Sequence, residues 1–505
     1  MVSYIRKKHG EAFNAEPDAS TLTSSLITPQ KELYRRNHDD IIYQPASTSS
    51  KPEVETDWKL SFLVDRDVAE HLDWKQWKSD TSFSPRSAQA EDHDAIIASS
   101  KSVRISIAEL HQSMKEKRVV AAMECAGNRR ADMSERGPRK AEGLQWQSAT
   151  IGNALWAGAS VRDFLLQQGI PDAYEHIRDK ENLPPTVRSL ENDSAPWSRN
   201  TYLHFLSSQP CSESQSPTGH VYGSSVPLCT ALHPNQDLLL AWGVDGQRLD
   251  STHGYPLRAA LPGHVAARWT KWLSMLRISF YEDDSPPMTL DYKLLEPPKG
   301  ASEEERRQWI DSMMGEGKDE KKREAEVAKA KPLMRLGVGS GVSEPQEDDK
   351  IEVNDKGEMA AEGYAVGTEG SPVSLVELLL VRDPGSSNLD AMEDLRRAAN
   401  EQPASAWTRL ELDESNSRKV LPKHKGSSED DIAIADAKEA KFSWSWTLWR
   451  AQVPVPAEAR GSGEKYALVM RGTTSAGVRQ ELQSPWNIRG FRERSWPVVT
   501  GLTFQ

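Results

Sequence analysis

The sequence has few cysteines: Cys125, Cys211 and Cys229 are the only three among 505 residues. Such an odd and sparse set argues against a disulfide framework and favours a reducing compartment. The sequence also lacks any CxxC pair and any HExxH run. A zinc site therefore has no support from the sequence.

Long apolar runs and an excess of basic residues are also missing. No run approaches the roughly 20 apolar residues of a membrane-spanning helix. The basic start, residues 1–10, is not followed by an apolar stretch, and Leu502 to Gln505 are not a peroxisomal address. The net charge of −12 is unlike the basic footprint of a nucleic-acid-binding protein. We expect neither a membrane nor a nucleic-acid partner, and a cytoplasmic location, with the mitochondrion and the peroxisome left open.

The length and composition indicate a multidomain globular protein of the α+β class. With 505 residues, 27% of them charged, the chain is expected to form about two or three domains. We predict an arm over 1–20, a mixed domain over 21–297, a charged linker or insertion over 298–331, and a β-rich domain over 332–505. A polar insertion over 383–440 is expected within the last of these.

Local patterns predict the elements of the mixed domain. Short apolar runs predict strands at 103–107, 238–242 and 256–261. Helices are expected over 108–116 and over 161–168, the second with Ser160 as a cap. Two segments rich in Ser, Pro and acidic residues are predicted to be surface loops or insertions: 78–100 and 181–217.

The residue pattern changes twice in the second half of the chain. Ser302 to Glu305 form a capping-box pattern, and 318–331, with almost no apolar stripe, predict a solvated helix or a disordered linker. Beyond it, strands are expected at 374–381, 442–453 and 466–471. Period-two alternation along the second of these strands indicates a β-sandwich.

The segment richest in chemistry is Glu124-Cys125-Ala126-Gly127-Asn128-Arg129-Arg130. It places a thiol at the end of an apolar run and beside two arginines. Neighbouring cations stabilise a thiolate, so we expect Cys125 to ionise more easily than an ordinary cysteine. Such a thiolate is either a nucleophile or a soft metal ligand.

Three distant clusters share the same cationic character. They are Tyr34 to His38, then His253 to Arg258 with Arg268 and Lys271, and Trp486 to Gly490. Taken singly, each fits a surface turn or a solvated face. Together they predict a pocket for a phosphorylated cofactor and an oxyanion substrate, because the arginine fork matches oxyanions in a bidentate manner.

The motif from Cys125 to Arg130 resembles the molybdenum-ligand motif of the sulfite oxidase family. Further segments resemble that family in the same order along the chain: Phe13 to Pro17, Ile27 to Pro29, Arg36 to His38, Gly143 to Trp146, Trp156 to Ala159, Tyr222 to Pro227, His253 to Arg258, Asp291 to Lys293 and Trp486 to Gly490. The resemblance covers most of the chain.

The resemblance implies a molybdopterin-binding catalytic domain followed by an immunoglobulin-like β-sandwich dimerisation domain, and hence a homodimer. Cys125 would be the protein ligand of molybdenum. The groups that would hold the pterin and its phosphate are Tyr34, Arg35, Arg36, Asn37, His38, Cys125, His253, Arg258, Arg268 and Lys271. The groups implied for catalysis and the substrate pocket are Cys125, Arg36, Arg130, Trp146, Tyr292 and Arg489.

The activity that the resemblance implies is oxidation of sulfite to sulfate by oxygen-atom transfer at molybdenum. In related nitrate reductases a methionine resembles the position of Arg489, so the arginine favours sulfite. No His-Pro-Gly-Gly motif of a cytochrome b5 module is present, and we predict a haem-free form that resembles the plant enzymes. The alternatives are a nitrate reductase-like or other S- or N-oxide molybdenum oxidoreductase, and a non-catalytic scaffold. The electron acceptor, dioxygen or a cytochrome, is left open.

One departure from the family bears on the charge of the pocket. A basic residue often stands directly before the Gly-X-X-Trp run, where this sequence has Glu142, with Arg139 and Lys140 nearby. We expect that one of these two cations reaches into the pocket, or that the pocket is less positive than is usual in the family.

Overall fold

The computed structural model describes residues 4–9, 12–37, 58–71, 101–211, 219–385, 391–412 and 441–505. Contacts group the chain into two compact units: the first contains 1–38, 120–154 and 294–505, and the second contains 39–119 and 155–293. The strands Glu116–Glu124 and Ile151–Ser160 contribute residues to both units. The four consecutive segments expected from the sequence stay a prediction.

The second unit is built on a mixed five-stranded sheet. Its strands lie in the order Lys101–Ser106, Lys59–Val64, Leu273–Ser279, Tyr202–Pro210, Val221–Pro227. The central strand pairs parallel with Lys59–Val64 and antiparallel with Tyr202–Pro210. In the same unit, Leu239–Val244 pairs antiparallel with Trp156 to Ser160 and with the short strands Gln247–Arg248 and Arg258–Ala260. Strands and short helices therefore mix, as expected for the α+β class.

Short helices connect the strands of this unit. They are Arg66–His71, Ile107–Ser113, Val161–Gln167, Val187–Asn192 and Leu228–Ala231. Short 3₁₀ turns lie at Lys180–Asn182, Pro196–Ser198, Ser251–His253 and Ala266–Arg268, and a π-helical turn at Pro287–Asp291. The hydroxyl of Ser160 accepts from the amide of Asp163 at 3.2 Å, which confirms the predicted cap. The helix expected to reach residue 116 ends at Ser113, since Glu116 already begins the next strand.

The prediction of a surface loop over 181–217 is wrong for the described part of this segment. It contains the helix Val187–Asn192 and the strand Tyr202–Pro210. Leu203 and Phe205 are fully buried in the sheet. Two alternate apolar side chains suffice for a half-buried strand, although polar residues dominate the composition. Residues 212–218, and the other expected loop over 78–100, lie outside the described residues.

The first unit contains the predicted β-sandwich. A three-stranded sheet has the order Gly339–Glu344, Glu358–Val366, Trp446–Pro454. A five-stranded sheet has the order Lys350–Ile351, Val498–Phe504, Tyr466–Thr474, Val373–Arg382, Thr408–Glu411. Met359 and Trp449 of the first sheet join Val376 and Leu468 of the second in one buried cluster. This shared core confirms the sandwich.

Further elements of the first unit lie outside the sandwich. They are the hairpin of Tyr4–His9 with Ala12–Pro17, the strand Lys441–Trp444, the helices Ala19–Leu22, Arg130–Glu135 and Ala391–Asn400, and the 3₁₀ turns Gln30–Glu32, Ala404–Ala406 and Ala457–Ala459. The predicted polar insertion, as far as it is described, is not simply a loop: Leu395 and Trp407 are buried against Trp496. Residues 386–390 and 413–440 lie outside the described residues.

The charged segment 298–331 forms a packed helical pair, Glu303–Met313 and Glu320–Lys329. The capping box at Ser302 is confirmed, because its hydroxyl accepts from the amide of Glu305 and the Glu305 carboxylate accepts from the amide of Ser302. Trp309 and Val327 are buried in one cluster with Trp486. A disordered linker is therefore the wrong alternative here, since even a mainly solvated helix can be held by a few buried residues. None of the described helices is long and apolar enough to cross a membrane.

The sandwich core predicts a large difference between two truncations. Leu468→Ala removes a fully buried side chain and should lower the free energy of unfolding by about 2–5 kcal/mol, since the cavity adds to the lost transfer energy. Val478→Ala is the control, because its side chain is 47% exposed. Urea unfolding curves check the prediction, and equal midpoints for the two variants would contradict it.

Candidate active site

Cys125 lies directly after a buried strand of the first unit, in a turn that continues into the helix Arg130–Glu135. Val119 to Ala121 are fully buried, and Cys125 itself is 9% exposed. The amide of Cys125 donates to the Thr150 carbonyl at 2.9 Å, and its carbonyl accepts from the amide of Asn128 at 3.1 Å. Both backbone groups of Cys125 are therefore held, which fixes the direction of its Cα–Cβ bond.

A buried ion pair stabilises this turn. Arg494 donates from both terminal nitrogens to the two carboxylate oxygens of Glu124, each at 2.8 Å. Oε1 of Glu124 also accepts from the side-chain amide of Asn128 at 2.8 Å. The side-chain oxygen Oδ1 of Asn128 accepts from the backbone amide and the hydroxyl of Thr150, at 3.2 and 3.0 Å. Sequence reasoning missed Glu124, Asn128 and Arg494, although the first two lie within the cysteine motif itself.

The two adjacent arginines have different tasks. Arg129 adopts a left-handed backbone conformation with φ of 62°, and its side chain binds Asp132 and the Ser495 carbonyl, each at 2.8 Å. Arg130 instead donates from Nε to the Arg489 carbonyl at 2.8 Å and from Nη1 to the Leu144 carbonyl at 2.6 Å. Arg130 thus binds the backbone of Arg489, another predicted substrate residue, and the backbone just before Trp146. Arg129, in contrast, is a buried structural group.

A glycine lets the guanidinium of Arg130 lie against the cysteine turn. A Cβ atom at Gly127 would stand only 2.5 Å from Nη2 of Arg130. The guanidinium also lies over the ring of Phe491, 5.1 Å from its centroid. A side chain at position 127 would therefore displace the Arg130 guanidinium from this place.

Arg489 lies in a turn that Asn487 closes. The side-chain amide of Asn487 donates to the Phe491 carbonyl at 2.8 Å, and its oxygen accepts from the Phe491 amide at 3.1 Å. Gly490 has φ of 58°, and a Cβ there would collide with the side chain of Arg130. The predicted Trp-Asn-Ile-Arg-Gly segment therefore presents the half-buried Arg489 beside the backbone anchor of Arg130.

The amino-terminal cluster is held by the hairpin. Ala15 and Arg35 exchange backbone hydrogen bonds of 3.0 and 2.8 Å. The side-chain oxygen of Asn14 accepts from the Asn37 amide at 2.9 Å and from Nη1 of Arg36 at 3.1 Å. Tyr34 is buried, whereas His38 lies outside the described residues. The hairpin thus orients Arg36 and Asn37 together.

The expectation of an easily ionised Cys125 is wrong for the protein without a metal. Burial raises the pKa of the thiol above its ordinary value. The charges of Arg130 and Arg36 act in the opposite direction, but they do not outweigh the desolvation of the thiolate. The same finding shows that the electrostatic field of both arginines reaches the sulfur.

Glu142 does not act as an unpaired negative charge. Arg323 donates from Nη1 to Oε1 of Glu142 at 2.9 Å and from Nη2 to Oε2 at 2.7 Å. Arg139, one of the two cations expected to reach into the pocket, pairs instead with Asp311. Trp146, at the end of the same stretch, is buried, and its carbonyl accepts from the amide of Ala131 at 3.0 Å.

In the second unit, a separate cationic cluster surrounds His253. Nδ1 of His253 lies 2.8 Å from Oδ2 of Asp250. Arg258 donates to the His253 carbonyl at 2.9 Å, and the ammonium of Lys271 donates to the Thr252 carbonyl at 3.0 Å. Burial lowers the pKa of His253, against the opposing effect of Asp250.

Arg268 and Tyr292 also lie together within the second unit. Arg268 is fully buried and donates to the carbonyls of Pro287 and Tyr292, at 2.8 and 3.3 Å. Its guanidinium lies 5.6 Å from the centroid of the Tyr292 ring. Burial lowers the pKa of Arg268. Arg258 and Arg268 thus bind backbone carbonyls as well as forming part of the predicted cofactor cluster.

The predicted residues therefore fall into two groups, one in each unit. The first unit holds Tyr34, Arg35, Arg36, Asn37, Cys125, Arg130, Trp146 and Arg489, and the second holds His253, Arg258, Arg268, Lys271 and Tyr292. A buried thiol under the influence of two guanidinium groups fits a soft, redox-active metal. The cluster of cations and imidazole in the second unit fits a phosphate group. The donor chemistry of the chain thus matches a molybdenum–pterin cofactor, while the role of each residue stays a prediction.

Comparison with known proteins gives the same domain order. Residues 84–287 match the model of the oxidoreductase molybdopterin-binding domain, and residues 330–500 match that of the Mo-co oxidoreductase dimerisation domain. The mitochondrial sulfite oxidase of Rattus norvegicus is 25% identical over 97% of this chain, which spans 64% of that protein. The sulfite oxidase of Arabidopsis thaliana is 24% identical over 96% of the chain and 91% of its own length.

Two further comparisons concern a nitrate reductase and a solved structure. The NADPH nitrate reductase of Mycosarcoma maydis is 24% identical over 90% of this chain and 37% of its own length. The solved structure of the sulfane dehydrogenase SoxCD from Paracoccus pantotrophus gives a TM-score of 0.55 at 14% identity, over 97% of this chain and 85% of that one. At this identity the structural likeness concerns the fold alone.

Close to the cysteine turn, a buried carboxylate predicts acid sensitivity. Burial alone would raise the pKa of Glu493, but Arg136, Arg129 and Arg396 lower it to about 2. Because the folded-state pKa is depressed, this group stabilises the fold above its ordinary pKa of 4.5, and the contribution is lost as the pH falls towards 2. Glu493→Gln should therefore lower stability at neutral pH and weaken the decline between these values. Urea unfolding at a series of pH values checks this, and a parallel decline in both proteins would contradict it.

Proposed function

The chain belongs to the sulfite oxidase family of molybdenum oxidoreductases, and from this membership we propose that it oxidises sulfite to sulfate. The observation that carries the proposal is the position of Cys125, a buried thiol on which Arg130 and Arg36 both act. Sulfite is a small dianion, and guanidinium groups in a partly buried pocket offset its desolvation.

The residues of this chain have distinct tasks in the proposal. Cys125 would hold the metal as a thiolate, which requires loss of the thiol proton. Arg36, Arg130 and Arg489 bind and orient the anion, and Tyr292 donates a hydrogen bond from its hydroxyl. Trp146 excludes water. When bound, the molybdenum cofactor would supply the oxygen-atom and two-electron chemistry by which sulfite and water become sulfate and two protons, while the two electrons pass to an external acceptor, dioxygen or a cytochrome.

The pterin part of the cofactor is assigned to the cationic residues. Lys271, His253 and Arg258 form one connected group through Thr252 and the His253 carbonyl. We assign the phosphate to this group and to Arg268, and the pterin to Tyr34, Arg35, Arg36 and Asn37. The dimerisation domain supports the further proposal that two copies of the chain form a homodimer.

A second candidate is nitrate reduction, which the similarity to the Mycosarcoma maydis enzyme favours. Arg489 argues for sulfite, because a third guanidinium strengthens binding of a dianion more than binding of the singly charged nitrate. Steady-state assays of both anions with the same preparation decide between the two candidates.

Replacing Cys125 tests the proposed metal ligand. Cys125→Ser should bind little molybdenum and lose sulfite oxidation by about a thousandfold or more, since a neutral hydroxyl is a poor ligand for a soft metal. The measurements are metal content, sulfite turnover and circular dichroism after expression in a host that makes the cofactor. Cys211→Ser is the control, and full activity in Cys125→Ser would refute the role of this thiol.

Replacing Arg489 tests the preference for substrate. Arg489→Met should raise KM for sulfite by about tenfold or more, because one charge–anion interaction of about 1.4 kcal/mol is removed. Nitrate should be affected less, so the ratio of kcat/KM for the two anions should shift towards nitrate. A parallel loss for both anions would argue against a role of Arg489 in specificity.

A further inference from the structure

The stretch before Trp146 is a direct neighbour of the main anion-binding candidate. Nη1 of Arg130 donates to the Leu144 carbonyl at 2.6 Å. A Cβ on Gly143 would lie 3.1 Å from the same nitrogen, so the backbone approaches Arg130 closely. Glu142 precedes this contact by one residue, and its own amide donates to the Ile488 carbonyl at 2.7 Å. The carboxylate of Glu142 is thus attached to the backbone that orients Arg130.

Arg323 neutralises this carboxylate through a bidentate pair. The two hydrogen bonds measure 2.9 and 2.7 Å, and Arg323 also donates to the Met313 carbonyl at 2.6 Å. The side chain of Arg323 is only 17% exposed. Its hydrogen bonds with Glu142 raise the pKa of the guanidinium. The bond to the end of the preceding helix holds the arginine in place, so the pair is more constrained than an ordinary surface ion pair.

The helical pair that carries Arg323 is itself anchored on the surroundings of Arg130. Its buried side chains, among them Trp309 and Met313, pack in one cluster with Met133, Trp486 and Ile488. Met133 lies on the helix that begins with Arg130, and the other two shortly precede Arg489 in sequence. A segment that reads as a charged linker therefore contacts both backbone segments that position the anion-binding arginines.

We propose that Arg323 is a positioning residue of the anion site: it cancels the charge of Glu142 and fixes the Glu142–Leu144 backbone against Arg130, and thereby sets the affinity for the oxyanion. The inference rests on the proposed function for its substrate, sulfite. Without Arg323, the free carboxylate repels a dianion and competes with it for the guanidinium of Arg130. Arg323 acts only through Glu142 and the backbone beside Arg130, so it affects binding more than the chemical step.

A double-mutant cycle in the molybdenum-loaded enzyme tests the proposal. Arg323→Ala should raise KM for sulfite by about five- to tenfold with kcat changed by less than about twofold, as expected for one uncompensated charge in partly exposed surroundings. The double variant Arg323→Ala with Glu142→Gln should return KM to within about twofold of the wild type, because the harmful carboxylate is gone. Lys329→Ala is the matched control, since it removes an exposed cation from the same helix.

A binding measurement separates this inference from the proposed activity. Isothermal titration with sulfate is carried out on the metal-loaded protein. The affinity for sulfate should be weaker in Arg323→Ala than in the wild type and should be restored in the double variant. Thermal unfolding of each variant accompanies the titration. An unchanged sulfate affinity in Arg323→Ala would overturn the proposal. So would an equal loss of affinity in the single and double variants, since that result assigns Arg323 a merely structural role. If sulfite is not oxidised at all, the proposed function fails, while the sulfate titration still decides the role of Arg323.

Discussion

The buried ion pair between Glu124 and Arg494 is the interaction on which the candidate site depends. A lone carboxylate at this depth would be costly, and the bidentate arginine compensates its desolvation. The same carboxylate accepts from Asn128, which closes the turn around Cys125. One pair thus links the end of a core strand, the cysteine turn and the segment that follows Arg489. Loss of either partner would leave the other charge buried and would loosen all three.

The arginines show how one residue type serves opposite purposes in a small region. Arg129 and Arg494 are buried, donate to carboxylates and a backbone carbonyl, and stabilise the fold. Arg130 contacts backbone carbonyls, and its charge still reaches the Cys125 sulfur. Burial nevertheless raises the pKa of the thiol, and a metal ligand must lose its proton, so thiolate formation is expected to be coupled to binding of a metal. The neighbouring cations are therefore better understood as partners for an anion than as activators of a nucleophile.

Part of this picture could be predicted from local patterns. The sandwich follows from alternation along the late strands, and the caps at Ser160 and Ser302 follow from adjacent residues. The packing of the helical pair over 303–329 is harder to predict from the sequence, because its burial depends on a few apolar side chains in a charged segment. The strand Tyr202–Pro210 is also hard to predict, because polar residues dominate the composition of its segment. Its burial depends on the two strands with which it pairs, and one of these is distant in sequence. The roles of the site residues stay predictions.

The amino-acid sequence by itself determined the family, the order of the domains and the residue types of the candidate site, because these depend on short motifs that keep their spacing. Only the tertiary structure decided which charges meet. Glu142 and Arg323 are 181 positions apart, and Glu124 and Arg494 are 370 positions apart. Electrostatic energy depends on distance in space and on burial, and neither can be read from separation along the chain. For this reason the sequence alone suggests that Glu142 makes the pocket less positive, whereas in the folded protein Glu142 forms an ion pair with Arg323.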